Sequence, residues 1–505
     1  MSTLSNDSLD HAGGQSGGNP LRWKALAVLT AVQFMLMLDV TVVNIALPNI
    51  QDDLDFTTEG LAWVVNGYLL MAAGFLLLGG RIADLLGRRR VFVAGVLLFG
   101  ISSIMCGAAN TSGLLVAGRF LQGFGEALAA PAALGLIAVL FTDGKERAKA
   151  LGIWGGLAAL GGAVGSVVGG LVTDFIDWRW VFYINIPIVL LALAVIPRLM
   201  PESRMARREG QSLDLIGAFG TTVGLVGVVY GLLEAAEEPW GSSAVLLPLL
   251  GGFAALVFTV LWESRVADPM IPLRFFKNRT RVTSNVVSMM SFASFYTYAF
   301  VATLYLQHVL HYSPMETGLA YIPLTIATGV GMGVSTALMP RLGVKPLVVI
   351  AFFGAALGQF IAANGFGPDA SYVGGVLPGL VVFALFNGMG FPLLINGGLH
   401  EVTGQDSGLA SGVQTSMQQI GAALGLATLV PIALRYVNDH AGDGNLAAVA
   451  SDGYANALYV AAGVLAVAGL IALFLLGKVS AEKRDAHAEA AELMADASAP
   501  EAAKV

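Results

Sequence analysis

The chain is a succession of fourteen apolar runs, each long enough to cross a lipid bilayer, separated by short polar gaps. A hydrocarbon core of about 30 Å needs roughly 20 apolar residues per helix, and lipid admits only segments that satisfy their own backbone hydrogen bonds. The runs lie near 25–47, 59–80, 91–110, 113–137, 149–172, 180–200, 214–234, 243–263, 283–308, 317–339, 346–364, 372–397, 408–432 and 455–477. A mean hydropathy of +0.74 with only 12% charged residues excludes an ordinary soluble domain, where about 25% are charged. The first run is too long for a signal-peptide core and lacks a small-residue cleavage site after it, so it is expected to remain. The fold class is therefore an all-α integral membrane protein. Its 63 glycines suit close helix packing in lipid.

Positive charge sets the threading. Twenty-four of the 27 Lys and Arg residues fall in alternate gaps or at the ends: Arg22 and Lys24, Arg81 and Arg88 to Arg90, Lys145 to Lys149, Arg198 to Arg208, Arg265 to Arg281, Arg341 and Lys345, and Lys478 to Lys504. Only Arg179 and Arg435 lie opposite, and Arg119 sits inside a run. Basic loops stay in the cytoplasm, so both ends are expected there. The net charge of −7 owes much to outer-loop acids such as Asp52, Asp53, Asp55, Glu237 and Glu238. No nucleic-acid surface is indicated. Trp178, Trp180 and Trp240 fit an interfacial aromatic belt.

Several chemistries are excluded. Cys106 is the one cysteine, so there is neither an intramolecular disulfide nor a cysteine metal cluster. The six histidines show no metal spacing, and no phosphate loop ending in Gly-Lys-Ser/Thr occurs. Neither a cofactor nor an enzymatic group of residues is expected.

A weak internal repeat divides the chain. The gap after the second run reads Leu86-Gly87-Arg88-Arg89-Arg90, and the gap after the tenth reads Leu342-Gly343-Val344-Lys345. Each is a tight basic turn between the second and third helices of a six-helix set. Two related halves around a substrate path are the mark of a transporter. The expected division is a disordered tail at 1–20, a six-helix half at 21–200, a linker with two inserted helices at 201–263, a second six-helix half at 264–478, and a tail at 479–505.

Six ordered stretches carry a resemblance that covers essentially the whole chain. "GRIADLLGRRRV", Gly80 to Val91, resembles the helix 2–3 loop signature of the major facilitator superfamily. "LDVTVVNIALP", Leu38 to Pro48, resembles the first-helix motif of its fourteen-helix drug:proton antiporters. "RFLQGFGEA", Arg119 to Ala127, resembles the fourth-helix motif, and "GGAVGSVVGG", Gly161 to Gly170, the fifth-helix antiporter motif. "WRWVFYINIPI", Trp178 to Ile188, and "SGLASGVQTSMQQIGAALGLA", Ser407 to Ala427, are similar to the same subfamily. The resemblance implies a major facilitator fold of two six-helix halves plus two inserted helices, and a proton-coupled exporter of drugs or secondary metabolites in a bacterial plasma membrane. A monomer is expected, with protons, lipid and small amphipathic substrates, cationic ones among them, as its partners. Two departures stand out: Ser166 replaces the proline of the antiporter motif, and Glu126 replaces a small residue.

The charges inside the runs are the candidate machinery. Asp39 lies about 8 residues from the outer end of the first helix and Arg119 about 6 from that of the fourth, roughly 12 and 9 Å deep. A lone charge there costs on the order of 3 kcal/mol on insertion scales, so a pair is expected where the helices adjoin, as they do in the family resembled. A static helix clamp is the alternative to a proton-coupling pair. Glu126 follows Arg119 by two turns on nearly the same face, roughly 10 Å nearer the cytoplasm.

The resemblance implies a conformational gate at Gly80, Asp84, Gly87 and Arg88, with Asp84 and Arg88 spaced for an i,i+4 pair. Gly161, Gly165 and Gly169, beside Ser166 and Gly170, recur at four-residue spacing and give a smooth helix face. Asn44, Asn66, Tyr68, Gln414 and Gln418 are candidate polar liners of a substrate cavity, with Met35, Phe295 and Tyr296 as an adaptable apolar wall. Asp214 is expected to cap the seventh helix and Glu263 to meet loop arginines. A carrier of one metabolite or amino acid, and a membrane sensor that does not transport, remain as other functions.

Overall fold

The computed structural model describes residues 21–141, 143–200, 202–203, 214–235, 238–266, 269–402, 407–440, 442 and 445–477. Both expected tails, most of the joint after the sixth helix, and Glu237 lie outside the described residues. Among the described residues every regular element is helical. In chain order the helices are α1 (Arg22–Asp53), α2 (Thr58–Leu86), α3 (Arg88–Gly107), α4 (Ser112–Leu140), α5 (Gly144–Phe175), α6 (Trp180–Leu199), α7 (Leu215–Glu234) and α8 (Ser243–Glu263). They continue as α9 (Arg279–Val309), α10 (Pro314–Leu342), α11 (Val344–Gly365), α12 (Tyr372–Gly398), α13 (Ser407–Asp439) and α14 (Leu446–Leu475). Thirteen of these have the length and apolarity to span a membrane; the apolar part of α5, Leu160–Phe175, is shorter.

Most helices outrun the apolar segments that announced them. At 1.5 Å per residue the 32 residues of α1 reach about 48 Å, well past the hydrocarbon core. Polar flanks stay helical because caps satisfy their free N–H groups. The side chains of Thr57, Thr111, Ser242 and Asn445 accept from the first turns of α2, α4, α8 and α14. Ser313 and Glu316 form a reciprocal capping box at α10.

Small residues set the packing. A Cβ on Gly95 of α3 would stand 2.8 Å from Gly125 O of α4, and one on Gly125 would stand 2.9 Å from Phe99 N. Those two backbones touch only because both positions lack side chains. The first six helices form one half through the α1–α5, α2–α4 and α3–α4 pairs, and α9–α14 form the other through α9–α13, α10–α12 and α11–α12. The halves meet mainly along α2–α13 and α5–α10.

The inserted pair α7–α8 packs face to face, with a Cβ on Gly227 falling 2.9 Å from Gly252 Cα. It leans on α2, where Thr222 fills the space beside Gly74. Its outer face, with Phe219, Val223, Leu247 and Phe253 each more than half exposed, suits acyl chains. Asp214 caps α7 as expected, accepting from Gly217 N at 2.9 Å, and also takes the Trp262 Nε1–H at 3.0 Å. Glu263 departs from expectation. It lies beside Asp214 and accepts from Ile271 N at 3.4 Å, with no arginine partner among the described residues. The turn of chain after α8 folds back over the carboxylate before any arginine reaches it. Trp178 also departs: it is buried and donates to Asp53 Oδ2 at 3.1 Å, whereas Trp180 and Trp240 are exposed.

Candidate functional site

One buried polar knot sits inside the first half. Asp39 of α1 and Arg119 of α4 are 0% and 1% exposed, and Arg119 Nη1 meets Asp39 Oδ2 at 2.5 Å. The other carboxylate oxygen accepts from Asn185 Nδ2 of α6 at 2.7 Å and from Gln122 Nε2 of α4 at 3.2 Å. Arg119 also donates to Val64 O of α2 at 2.8 Å and to Gln122 Oε1 at 2.9 Å. Its guanidinium lies 4.4 Å from the centre of the Tyr68 ring. Gln122 passes a further bond to Ser103 Oγ of α3 at 2.8 Å. Five helices thus converge on a single ion pair, and neither charge is left with an empty side.

Removing one partner from such a pair costs about 3–5 kcal/mol, because the survivor is a buried charge alone. The similar depths read from sequence placed Asp39 and Arg119 within reach, and the structure joins them. It adds Gln122, Asn185 and Ser103. Gln122 had a signal, since i+3 from Arg119 shares its helix face. Asn185 lay inside the quoted stretch Trp178 to Ile188 but was not singled out there, and Ser103 had no signal beyond its place in a spanning helix.

A second polar cluster lies along the same face of α4, toward the middle of the molecule. Glu126 is 3% exposed. Tyr68, Gln419 of α13 and Tyr296 of α9 stand close enough to feel its carboxyl. Glu126 Oε2, the Tyr68 hydroxyl and Gln419 Oε1 have no hydrogen-bond partner among the described residues. These side chains face one another, with Tyr68 and Gln419 within reach of the Glu126 carboxyl, and form one buried polar group. The cluster joins residues from α2, α4, α9 and α13, so both halves contribute.

Sequence reading named the neighbouring Gln418; Gln419 is the glutamine that reaches the Glu126 carboxyl. Gln414 is occupied elsewhere, donating to Ser288 Oγ at 2.6 Å across the α9–α13 contact. Asn66 is fully buried, and neither its side-chain polar atoms nor Asn44 Oδ1 has a hydrogen-bond partner among the described residues. Met35 is wholly buried in the core of the first half. Phe295 and Tyr296 lie 5.9 Å apart, and Phe295 also meets Phe383 of α12.

The end of α2 from Gly80, the Gly87 junction and the start of α3 at Arg88 are tied down by neighbouring contacts. Arg88 Nε donates to Asp84 Oδ1 at 2.9 Å, and Arg88 Nη1 to Gly135 O of α4 at 3.2 Å. Gly87 has φ +114°, a backbone region side chains avoid, and a Cβ there would strike the Glu202 carboxylate. Glu202 in turn accepts from Arg89 N at 3.2 Å and approaches the Arg89 and Arg90 side chains at 3.6 Å. Glu202 was not singled out in sequence; it follows α6 and reaches the loop only through the fold. Gly80 packs against Pro131 of α4, where an added Cβ would stand 3.4 Å from the proline ring.

The glycine face of α5 has two sides. Gly161, Gly165 and Gly169 lie against α1, where added Cβ atoms would come within 2.7 Å of Phe34 O, 3.1 Å of Leu38 O and 2.9 Å of Val42 Cα. That seam runs directly behind Asp39. Ser166 and Gly170 face the other half: a Cβ on Gly170 would be 2.9 Å from Met315 Cα, and Gly318 fits against Ser166. Gln307 Nε2 of α9 donates to Ile45 O of α1 at 3.1 Å, closing the same end. At the other end Ser416 Oγ of α13 donates to Ala73 O of α2 at 3.1 Å.

A family model described as the Major Facilitator Superfamily matches residues 29–426. The chain is similar to the puromycin resistance protein of Streptomyces alboniger, 39% identical over 496 residues that make up 95% of each chain. It is similar to the cephamycin export protein of Amycolatopsis lactamdurans, 36% identical over 415 residues, 81% of this chain and 84% of that one. Among solved structures, a D-xylose–proton symporter matches with a TM-score of 0.63 at 16% identity, over 90% of this chain and 98% of that one.

Proposed function

The chain belongs to the Major Facilitator Superfamily, and from that membership we propose that it is a proton-coupled antiporter exporting small amphipathic compounds, cationic ones among them, by alternating access. Its relatives carry names of antibiotic resistance and export proteins, and the chain is a multi-pass membrane transporter rather than an enzyme. The proposal adds the driving ion, the charge preference and the orientation, with both ends cytoplasmic and a monomer as the working unit. The domain division at 21–200, 201–263 and 264–478 is part of this reading.

The observation that carries it is the pairing of two polar clusters on one face of α4. Protonating Asp39 cancels its attraction for Arg119, so a proton arriving from the outer side loosens a knot that spans five helices. Expelling that proton lets the knot close. The Gly161–Gly165–Gly169 seam behind Asp39 allows α1 to slide on α5, and the Ser166–Gly170 face meets the other half where the outer end must open. Glu126, with Tyr68 and Tyr296 beside it, offers a cation both a carboxylate and aromatic faces in a place poor in water. The Asp84–Arg88 turn, held to Gly135 and Glu202 here, would exchange partners across the halves when the cavity faces outward.

The test is transport by the purified chain in proteoliposomes, using a compound panel under an imposed pH gradient. Accumulation that follows the gradient and favours lipophilic cations is expected. Saturable movement of a single polar solute, indifferent to the gradient, would reject the reading.

A further inference from the structure

The chain between α8 and α9 ends in a 3-10 turn, Leu273–Lys277, that leads through the cap residue Asn278 into α9. Between this turn, the first residues of α9 and the end of α12 lies a cavity of about 510 Å³. Its walls carry Arg274, Lys277, Arg279 and Arg281, with His400 beside them and Glu401 as the one carboxylate. Among the described residues of its wall, Arg274, Lys277 and Arg279 outnumber the one carboxylate. Such a concentration of like charge costs energy unless an anion offsets it.

The four cations are not equivalent. Arg281 is a strut: it donates to Phe275 O at 3.2 Å, His400 O at 3.0 Å and Glu401 O at 3.2 Å, and lies 4.5 Å from the Phe275 ring centre. It fixes the walls. Arg279 spends one N–H on Phe474 O of α14 at 2.8 Å. Glu401 is engaged by Asn278 Nδ2 at 2.9 Å. Arg274 and Lys277 have neither a hydrogen bond nor an ion pair among the described residues. The rigid frame therefore presents two uncommitted cations and the spare donors of a third.

The rim is apolar on the side that faces away from the protein. Phe276 is 39% exposed, and at the end of α14 Phe474 and Leu475 are 69% and 43% exposed. Arg279 is bonded to the carbonyl of Phe474 itself, so cation and apolar surface adjoin. A cationic hollow whose mouth opens onto apolar side chains matches a molecule with an anionic head and acyl tails. The planar fork of a guanidinium binds two oxygens of a tetrahedral phosphate in bidentate fashion, and basic pockets between spanning helices are suited to acidic lipid heads.

We propose that this cavity binds the phosphate head of an anionic phospholipid from the leaflet that meets the basic face, with Arg274, Lys277 and Arg279 as its ligands. A lipid seated there bridges the joint after α8, the start of α9 and the end of α14. It would brace the second half against the inserted pair.

The test uses the full chain in detergent, titrated with phosphatidylglycerol, with phosphatidylcholine or with inorganic phosphate, and followed by native mass spectrometry and thermal unfolding. Phosphatidylglycerol is expected to be retained and to protect, and phosphatidylcholine and inorganic phosphate not to. The double substitution Arg274→Gln, Lys277→Gln should weaken phosphatidylglycerol binding about 30-fold, at the usual strength of a surface cation for acidic lipid. Both side chains are exposed, so the fold should survive. Lys345→Gln, which removes a cation at the start of α11, should leave binding unchanged. Equal protection by inorganic phosphate would assign the cavity to a soluble anion and overturn the lipid. An equal loss from Lys345→Gln, or no loss from the double variant, would overturn the site.

Discussion

Asp39 and Arg119 are paired, but their removal should not be symmetrical, and pH exposes the difference. Arg119 cannot shed its charge at any accessible pH, whereas a solitary aspartate can escape its charge by taking up a proton. Asp39→Asn keeps an oxygen for Asn185 and Gln122 and strands the arginine, at about 3–5 kcal/mol. That penalty should be flat with pH. Arg119→Gln strands the carboxylate instead. The stranded carboxylate, unlike the arginine, can lose its charge by binding a proton, so the penalty in this variant should ease as the medium becomes more acidic.

Cys106 offers the assay. It is the one cysteine of the chain, fully buried, with Sγ 3.4 Å from Gln122 Oε1 inside the knot. Its labelling by a thiol reagent, corrected for intrinsic thiol reactivity, reads opening of the knot. Relative to the unaltered chain, Arg119→Gln should label less readily at pH 6 than at pH 8. Asp39→Asn should show no such trend. Parallel pH profiles for the two variants would mean that their charges do not oppose one another, and the reasoning would fail.

Two further substitutions address the other parts. Glu126→Gln removes the charge but keeps the shape and should weaken export of lipophilic cations about tenfold or more, while neutral compounds change little; equal effects on both classes would reject the charge argument. Gly165→Val places methyls where the seam leaves 3.1 Å to Leu38 O, so it should cost about 1–3 kcal/mol in thermal stability and slow turnover. Normal stability and transport in that variant would show that α1 and α5 separate freely.

What the sequence disclosed was set by how local each cause is. Span number followed from run length alone; depth made the Asp39–Arg119 contact possible, because the bilayer turns residue position into height, but the adjacency of their helices came from the family resemblance. Glu126 was found because seven residues return to one face of a helix. Azimuth between helices has no such ruler. The role of Asn185, inside a quoted motif, therefore emerged only when α6 was seen to turn toward α1, and Gln419 beside Gln418 was missed because one residue rotates a side chain by about 100°. Glu202 escaped notice because its partners, Arg89 and Arg90, lie more than a hundred residues away in the chain. Glu263 was misassigned for a related reason: nearby arginines in sequence suggested a partner, but the fold brought it to Asp214. The Gly161–Gly165–Gly169 repeat of α5 promised one smooth face and the bundle lays it against α1, while Ser166 and Gly170 on the other side meet α10.

The most direct test follows protons. In proteoliposomes loaded with a fluorescent pH indicator, addition of a transported cation should release a burst of counter-moving protons in the unaltered chain. In Asp39→Asn the burst should vanish while binding of the same cation, measured by equilibrium dialysis, persists. Undiminished substrate-stimulated proton flux in that variant would contradict the assignment of Asp39 as the coupling acid.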